Sequence, residues 1–169
     1  MRALVAYGSK MGGTQGLAEM VARALERHVY TVDVRSAADV ATTKGYDLVV
    51  IGGALYAGRW HRDAARFVRH HRRSLRSTEV WFFSSGPLDD SATRREIDPV
   101  GQVRRLMARV GANVHATFGG RLTPDAPGFM ARAMAKKLTG DWRDEEVVAH
   151  WVDHILEQAY RPVRSEQWL

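Results

Sequence analysis

Apolar runs and amphipathic stretches alternate along most of the chain. The segments with the pattern of strands are residues 3–7, 30–35, 47–53, 80–83 and 113–118. Continuous apolar runs are typical of central parallel strands, whereas the alternation through Tyr30, Val32 and Val34 indicates a half-buried strand. Apolar residues at helical spacing separate these segments. Because crossovers between parallel strands are right-handed, the repeated order predicts an α/β, doubly wound parallel sheet with helices on both faces.

Helix boundaries are suggested at three places. One helical stretch covers residues 64–75, and another covers residues 100–110 with Asp98 and Pro99 expected as its cap and first-turn residue. The last helix covers residues 147–159, and the acidic residues 144–146 favour its N-terminus.

The first strand runs directly into a loop and a helix. The loop, residues 8–14, is here called the phosphate loop and contains Gly8, Ser9, Lys10, Met11, Gly12, Gly13 and Thr14. Backbone N–H groups at a helix N-terminus bind phosphate, and hydroxyl groups add hydrogen bonds to it. The loop that binds ATP and GTP has Lys directly before Ser or Thr, but here Gly13 precedes Thr14. The G-x-G-x-x-G spacing of dinucleotide-binding loops is also absent. A monophosphate such as that of FMN fits this loop; the alternative is a plain strand-to-helix turn.

Three strand ends are rich in glycine and serine. They are the phosphate loop, residues 52–58 (the second loop) and residues 84–88 (the third loop). Ligands of open parallel sheets bind beyond the carboxyl ends of the strands. We therefore expect the three loops to open towards one crevice.

The segment 121–143 is too long for an ordinary connection before the last helix. Phe129, Met130, Met134 and Leu138 share one helical face, and basic residues lie elsewhere on the turn. The segment is either a short helix that packs on the domain or an apolar and basic lid that touches a membrane. The whole chain, residues 1–169, is expected to form one domain.

Composition narrows the function classes. The chain has 169 residues and no cysteine, which excludes disulfides and thiol chemistry. Because it has no secretory signal pattern and no membrane-length apolar run, we expect a cytoplasmic protein. No metal-ligand spacing and no Ser–His–Asp arrangement is evident. The net charge of +6 favours anionic partners, among which nucleic acid has little support because no recognition motif accompanies the charge.

Arginines are dense after the second loop, at positions 59, 62, 66, 69, 72, 73 and 76. The simplest interpretation is a solvated helix face. The alternatives are docking to anionic lipid or contact with carboxylates of a substrate, for which Arg59 is best placed because it adjoins the second loop.

The chain resembles the flavodoxin-like superfamily and, within it, the flavodoxin-type quinone-dependent protoporphyrinogen dehydrogenases. Four stretches carry the likeness: YGSKMGGT at 7–14, GGALYAGRW at 52–60, FSSGPL at 83–88 and GDWRD at 140–144. The resemblance implies a five-stranded parallel sheet in the order 2-1-3-4-5, with the insertion before the last helix. Met11 stands where many flavodoxins carry a hydroxyl residue.

The resemblance also implies non-covalent FMN, with Ser9 to Thr14 on its phosphate. The residues that would flank its isoalloxazine ring are Ala54, Leu55, Tyr56, Ala57, Gly58, Trp60, Ser84, Ser85, Gly86, Pro87 and Leu88. Tyr56 and Trp60 are the candidates to stack on the ring, although Trp60 can equally pack at the start of a helix. A basic chain penalises the reduced, anionic flavin less than an acidic one, so we expect an easily reduced flavin.

The function implied is an FMN-dependent oxidoreductase that passes electrons from protoporphyrinogen IX to a quinone. Such a protein would contact the inner face of a membrane peripherally. The alternative is a non-catalytic electron carrier that docks to redox partner proteins. NADP at the phosphate loop, with Arg35 on its 2′-phosphate, is a further alternative that lacks the glycine fingerprint.

Overall fold

Five parallel strands form the centre of the molecule. In a computed structural model, which describes residues 1–10, 12–123 and 139–160, the main sheet has the order β2-β1-β3-β5-β6. Its parallel strands are β1 (Arg2–Gly8), β2 (Thr31–Ser36), β3 (Leu48–Tyr56), β5 (Glu79–Ser85) and β6 (Val114–Phe118), while the short β4 (Arg59–Trp60) pairs antiparallel with β3. The predicted doubly wound sheet and its strand order are confirmed.

Helices cover both faces of this sheet. They are α1 (Gly13–Glu26), α2 (Arg62–His70), α3 (Arg72–Leu75), α4 (Ser91–Arg94), α5 (Gly101–Val110) and α6 (Glu145–Tyr160). Ala3 and Val5 of β1 pack with α1 and α6, whereas Leu4 and Ala6 pack with α2 and α5 on the opposite face. All four side chains are 0 % exposed, which explains why β1 is apolar at consecutive positions rather than alternating.

The glycines of the second loop are part of a strand. β3 continues through Gly52 and Gly53 to Tyr56, beyond the strand end expected at residue 53. A Cβ atom at Gly52 would collide with the Phe83 ring, and one at Gly53 would collide with the Trp60 ring. These glycines therefore make room for aromatic rings across the sheet instead of ending the strand.

Two helix boundaries also differ from expectation. The stretch 64–75 divides at His71 into α2 and α3. α5 begins at Gly101 with Val100 as its N-cap, so Asp98 and Pro99 precede the helix rather than start it. At α6 the expectation is confirmed, because Asp144 Oδ1 accepts hydrogen bonds from the N–H groups of residues 146 and 147, at 2.9 and 3.2 Å.

The insertion is closed at its base by a small ribbon. β7 (Arg121–Leu122) pairs antiparallel with β8 (Gly140–Asp141), and the Trp142 N–H donates to the Gly120 carbonyl at 3.0 Å. The helix predicted over residues 129–138 lies outside the described residues, as does Met11. Within the described ranges no helix is both long and apolar enough to cross a bilayer.

Candidate functional site

The three predicted loops leave the sheet at one edge. Gly8 of β1 is in register with Gly53 of β3, and Gly53 is in register with Ser84 of β5. The ends of three adjacent strands therefore lie side by side. That the three loops open towards one crevice stays a prediction.

The phosphate loop turns tightly into α1. Gly12 has φ of +74°, a left-handed conformation that suits glycine, and its carbonyl accepts the first helical hydrogen bond from Gly16 at 3.1 Å. Ser9 Oγ accepts a hydrogen bond from the Gly12 N–H at 3.1 Å, which holds the loop closed. The N-cap supplies no side-chain hydrogen bond, and the first turn has no acidic residue. The amide groups of this turn and its dipole therefore favour an anion.

Thr14 supplies the decisive polar atom of this loop. The residue is 1 % exposed, and its Oγ1 has no hydrogen-bond partner among the described residues. A buried hydroxyl without a partner costs free energy, and native structures keep such groups chiefly where a ligand, ion or water completes them. The loop thus has the donors and the unmet bond that a phosphate group requires.

A cavity of about 350 Å³ adjoins the loop; we call it the phosphate cavity. Its wall includes Arg143, which donates to both carboxylate oxygens of Asp141, at 2.8 and 2.5 Å, and to the Gly13 carbonyl at 3.4 Å. This pairing raises the pKa of Arg143 and lowers the pKa of Asp141. Gly16 leaves the space that the Arg143 guanidinium occupies, since a Cβ there would collide with it.

The other arginines of the phosphate cavity also have carboxylate neighbours. Arg23 pairs with Glu145 at 2.8 Å, and Arg121 lies 3.9 Å from Asp141. Sequence reasoning did not find Arg121 or Arg143 as site residues because they lie over a hundred positions from the loop. The only signal was the GDWRD stretch at 140–144.

The second loop is a tight hairpin. Residues Leu55 and Trp60 pair, as do Tyr56 and Arg59, and the connecting Ala57 and Gly58 both have positive φ, 48° and 72°. Positive φ at both central positions is the geometry of a two-residue turn that matches strand twist. Residues 57–59 are consequently exposed at the tip of the hairpin.

Tyr56 joins the second loop to the phosphate loop. Burial raises the pKa of Tyr56, and the backbone N–H of Lys10, which faces the phenol, lowers it in part. Lys10 itself is exposed. The half-buried Tyr56 ring therefore stands beside the loop that would hold a phosphate, and its stacking on a flavin stays a prediction.

His61 is a site residue that the sequence did not suggest. It is 7 % exposed, its ring lies 6.3 Å from the Tyr56 ring, and its Nδ1 accepts from the Asp63 N–H at 3.2 Å. Burial lowers the pKa of His61, against the opposing effect of Asp63, and thus favours the neutral ring. A Cβ at Gly8 would lie 2.9 Å from His61 Nδ1, which shows how closely α2 approaches the phosphate loop.

Trp60 packs in the core. Its side chain is 3 % exposed and stacks on Phe82 with ring centroids 5.5 Å apart and planes inclined by 22°. The indole fills the space above Gly53 in the core, and its Nε1 has no hydrogen-bond partner among the described residues. Packing at the start of a helix, the alternative interpretation, is what the structure has.

The first residues of the third loop are buried at the end of β5. Ser84 is 1 % exposed, and its Oγ bonds to His115 Nε2 at 3.0 Å, so the hydroxyl already has a partner within the protein. Burial lowers the pKa of His115 to about 4. Ser85 and Ala54 are paired neighbours in β5 and β3, both 7 % exposed.

Residues 86–88 remain as the accessible part of the third loop. A Cβ at Gly86 would lie 3.4 Å from the Leu55 side chain, so the second and third loops meet there. The Gly86 N–H donates to the Phe118 carbonyl at 3.0 Å, and Pro87 accepts from the Gly120 N–H at 2.9 Å. These backbone bonds fix the loop at the sheet edge. Pro87 and Leu88 are half-buried.

The family model for the flavodoxin domain matches residues 4–146, which include all three loops. The chain belongs to the flavodoxin domain family. Membership of this family indicates FMN as the cofactor, and the hydroxyl-and-amide loop with its unpaired Thr14 fits the phosphate of FMN. A search of the curated proteins found no match to this flavodoxin-domain chain.

Solved structures with the same fold extend over nearly the whole flavodoxin-domain chain. Oxidised flavodoxin 2 from Bacillus cereus aligns with a TM-score of 0.58 and 16% identity over 94% of this chain and 99% of its own. A flavodoxin from the domain Archaea aligns with a TM-score of 0.56 and 20% identity over 91% of this chain and 100% of its own. Rubredoxin oxygen:oxidoreductase from Desulfovibrio gigas aligns with a TM-score of 0.54 and 12% identity over 92% of this chain and 37% of its own. Identities this low show the shared fold alone.

Proposed function

We propose that this protein binds FMN at the crevice and works as an FMN-dependent oxidoreductase in electron transfer. The observation that carries the proposal is the buried, unpaired Thr14 Oγ1 at the first turn of α1. When bound, FMN supplies reversible electron uptake at its isoalloxazine ring, and the protein supplies position and charge.

The phosphate would be held by the Ser9 and Thr14 hydroxyls together with the amide group of Gly13, since the Gly12 N–H already donates to Ser9 Oγ. Contacts to the ring are assigned to the accessible residues of the second and third loops: Leu55, Tyr56, Ala57, Gly58, Gly86, Pro87 and Leu88. Lys10 is exposed beside the loop and adds positive charge near the phosphate.

FMN titration of the purified protein tests this proposal. Thr14→Val removes the hydroxyl and keeps the shape, so we expect FMN affinity to fall by about tenfold or more. The matched control is Thr43→Val, because Thr43 is also buried but its hydroxyl has a partner: its Oγ1 lies 2.6 Å from Ser74 Oγ. Quenching of FMN fluorescence reports binding without any assay of activity. Equal affinities for wild type and Thr14→Val would contradict the role of this hydroxyl.

The finer form of the proposal names the substrate and acceptor. The four stretches that resemble protoporphyrinogen dehydrogenases support electron flow from protoporphyrinogen IX through FMN to a quinone at a membrane surface. Arg59, exposed at the hairpin tip, is then the proposed contact for a propionate of the porphyrin. Arg59→Ala should lower turnover of the carboxylated substrate, and unchanged turnover would remove this role.

The second candidate is an electron carrier that docks to redox partner proteins. It is favoured by the fold alignment with solved flavodoxins, one of which aligns over 99% of its own length with 94% of this chain. Steady turnover of protoporphyrinogen with menaquinone by the purified protein would support the enzyme. Absence of such turnover, with FMN bound and reducible, would support the carrier.

A further inference from the structure

A second cavity, of about 520 Å³, lies between the hairpin, α2 and α5. Four arginines line it, and we call it the arginine groove: Arg59, Arg69, Arg105 and Arg109. All four residues are exposed, and within the described ranges none has a carboxylate within 4.0 Å. Among the described residues, no acidic side chain lines the groove.

The fold forces these charges together. Arg105 and Arg109 are four residues apart on α5 and so lie on one helix face, where like charges repel. Gln102 Oε1 accepts from the Trp60 N–H at 2.9 Å, which ties β4 to α5 and sets Arg59 at the rim of the groove. An arrangement that concentrates positive charge without internal compensation is relieved by an anion from outside.

We propose that the arginine groove docks an acidic segment of a redox partner protein. The proposal rests on the electron-carrier form of the proposed function. Guanidinium groups hold carboxylates by paired N–H···O bonds, and charge complementarity speeds encounter between proteins. Arg59 belongs both to the groove and to the hairpin that flanks the FMN crevice, so a segment bound there would bring its protein close to the cofactor.

The lining favours a protein segment over other polyanions. The apolar contribution from the described residues comes from Leu106, which is 3 % exposed, so these residues offer no apolar side chain for insertion into a bilayer. None of the lining residues that the structure describes is aromatic, so they provide no platform on which nucleic-acid bases could stack.

The test is binding of a fluorescein-labelled octaglutamate peptide, measured by anisotropy at low salt. The groove variant Arg69→Gln/Arg105→Gln should bind about tenfold more weakly than wild type. The control Arg66→Gln/Arg73→Gln removes the same charge from exposed arginines outside the groove that have no carboxylate partner in the described ranges, and it should change affinity by less than about twofold. Arg59→Gln/Arg109→Gln is the second groove variant and should match the first.

Equal losses in the groove and control variants would overturn the proposal, because they would show attraction to net charge alone. It would also be overturned if the groove variants still bound the peptide with wild-type affinity but no longer bound phosphatidylserine vesicles or the small polycarboxylate mellitate. FMN titration of the same samples separates the two proposals. Groove-dependent peptide binding in a protein that ignores FMN would retain the docking site and remove the electron-transfer function.

Discussion

Arginines line both the phosphate cavity and the arginine groove, but their surroundings differ. At the phosphate cavity Arg143 is bound to Asp141 and Arg23 to Glu145, and the Arg143 side chain is only 10% exposed. In the groove the arginines are exposed and have no carboxylate within ion-pair distance in the described part of the chain. Paired arginines hold the fold around the phosphate loop. Unpaired arginines are left for an external anion.

The two regions should therefore respond differently to substitution. Removing a paired, mostly buried guanidinium leaves a carboxylate and a carbonyl without their donor, which costs stability. Removing an exposed, unpaired guanidinium lowers repulsion and changes only what binds from solution. The largest expected effect on stability comes from neither kind of arginine. It comes from a buried, uncharged hydrogen-bonded pair.

This neutral pair is Ser84 with His115. The pKa of His115 falls from 6.5 to about 4 on folding, so the unfolded chain takes up the proton first as pH falls. Stability is therefore lost between about pH 6.5 and pH 4, by about 3 kcal/mol for this residue. Urea unfolding at pH 7 and at pH 4 measures this loss. Between the two pH values, the free energy of unfolding of His115→Gln should fall by about 3 kcal/mol less than that of wild type. His61 and His71, whose pKa values burial also lowers, contribute equally to both proteins. Parallel pH profiles would contradict the prediction.

Arg143→Met examines the paired side of the comparison. We expect the free energy of unfolding to fall by about 2 kcal/mol, because the bonds to Asp141 and to the Gly13 carbonyl are lost while the stem is kept. Urea unfolding at pH 7 measures it. A loss below about 0.5 kcal/mol would mean that pairing does not stabilise this region.

Trp60→Phe separates core packing from cofactor contact. Stacking on Phe82 is partly kept, so stability should fall by about 1 kcal/mol. FMN affinity should change by less than about twofold, because the indole is buried in the core. Tyr56→Leu is the comparison variant and should weaken FMN binding and shift its absorption. A changed flavin spectrum in Trp60→Phe would restore the stacking role.

Arg69→Gln examines the unpaired side and should have the smallest effect on folding. The free energy of unfolding is expected to change by about 0.5 kcal/mol or less, since no bond within the described chain is lost. It is measured beside Arg143→Met under the same conditions. Similar losses in both variants would erase the difference between the two regions.

The fold was predictable because local patterns determine it. The buried strands are continuous apolar runs, and right-handed crossovers leave few ways to arrange them. The phosphate loop could also be predicted, because its glycines, its hydroxyl residues and the start of the helix are contiguous in sequence. Gly52 and Gly53 misled because glycine marks a loop as readily as it makes room for a ring across a sheet.

Contacts between distant residues could not be predicted in this way. Trp60 looked like a flavin contact because it follows the second loop, but the hairpin turn carries it back into the core. Ser84 looked available until β6 placed His115 beside it. The arginine groove combines β4, α2 and α5, and only the first two are adjacent in sequence.

The affinities of the purified protein for FMN and for riboflavin, which lacks the phosphate, decide whether the phosphate loop is what holds the cofactor. Both are obtained by fluorescence titration under the same conditions. We expect FMN to bind at least about a hundredfold more tightly than riboflavin, and Thr14→Val to reduce that ratio. Equal affinities for the two flavins, or no binding of either, would contradict an FMN site at this loop.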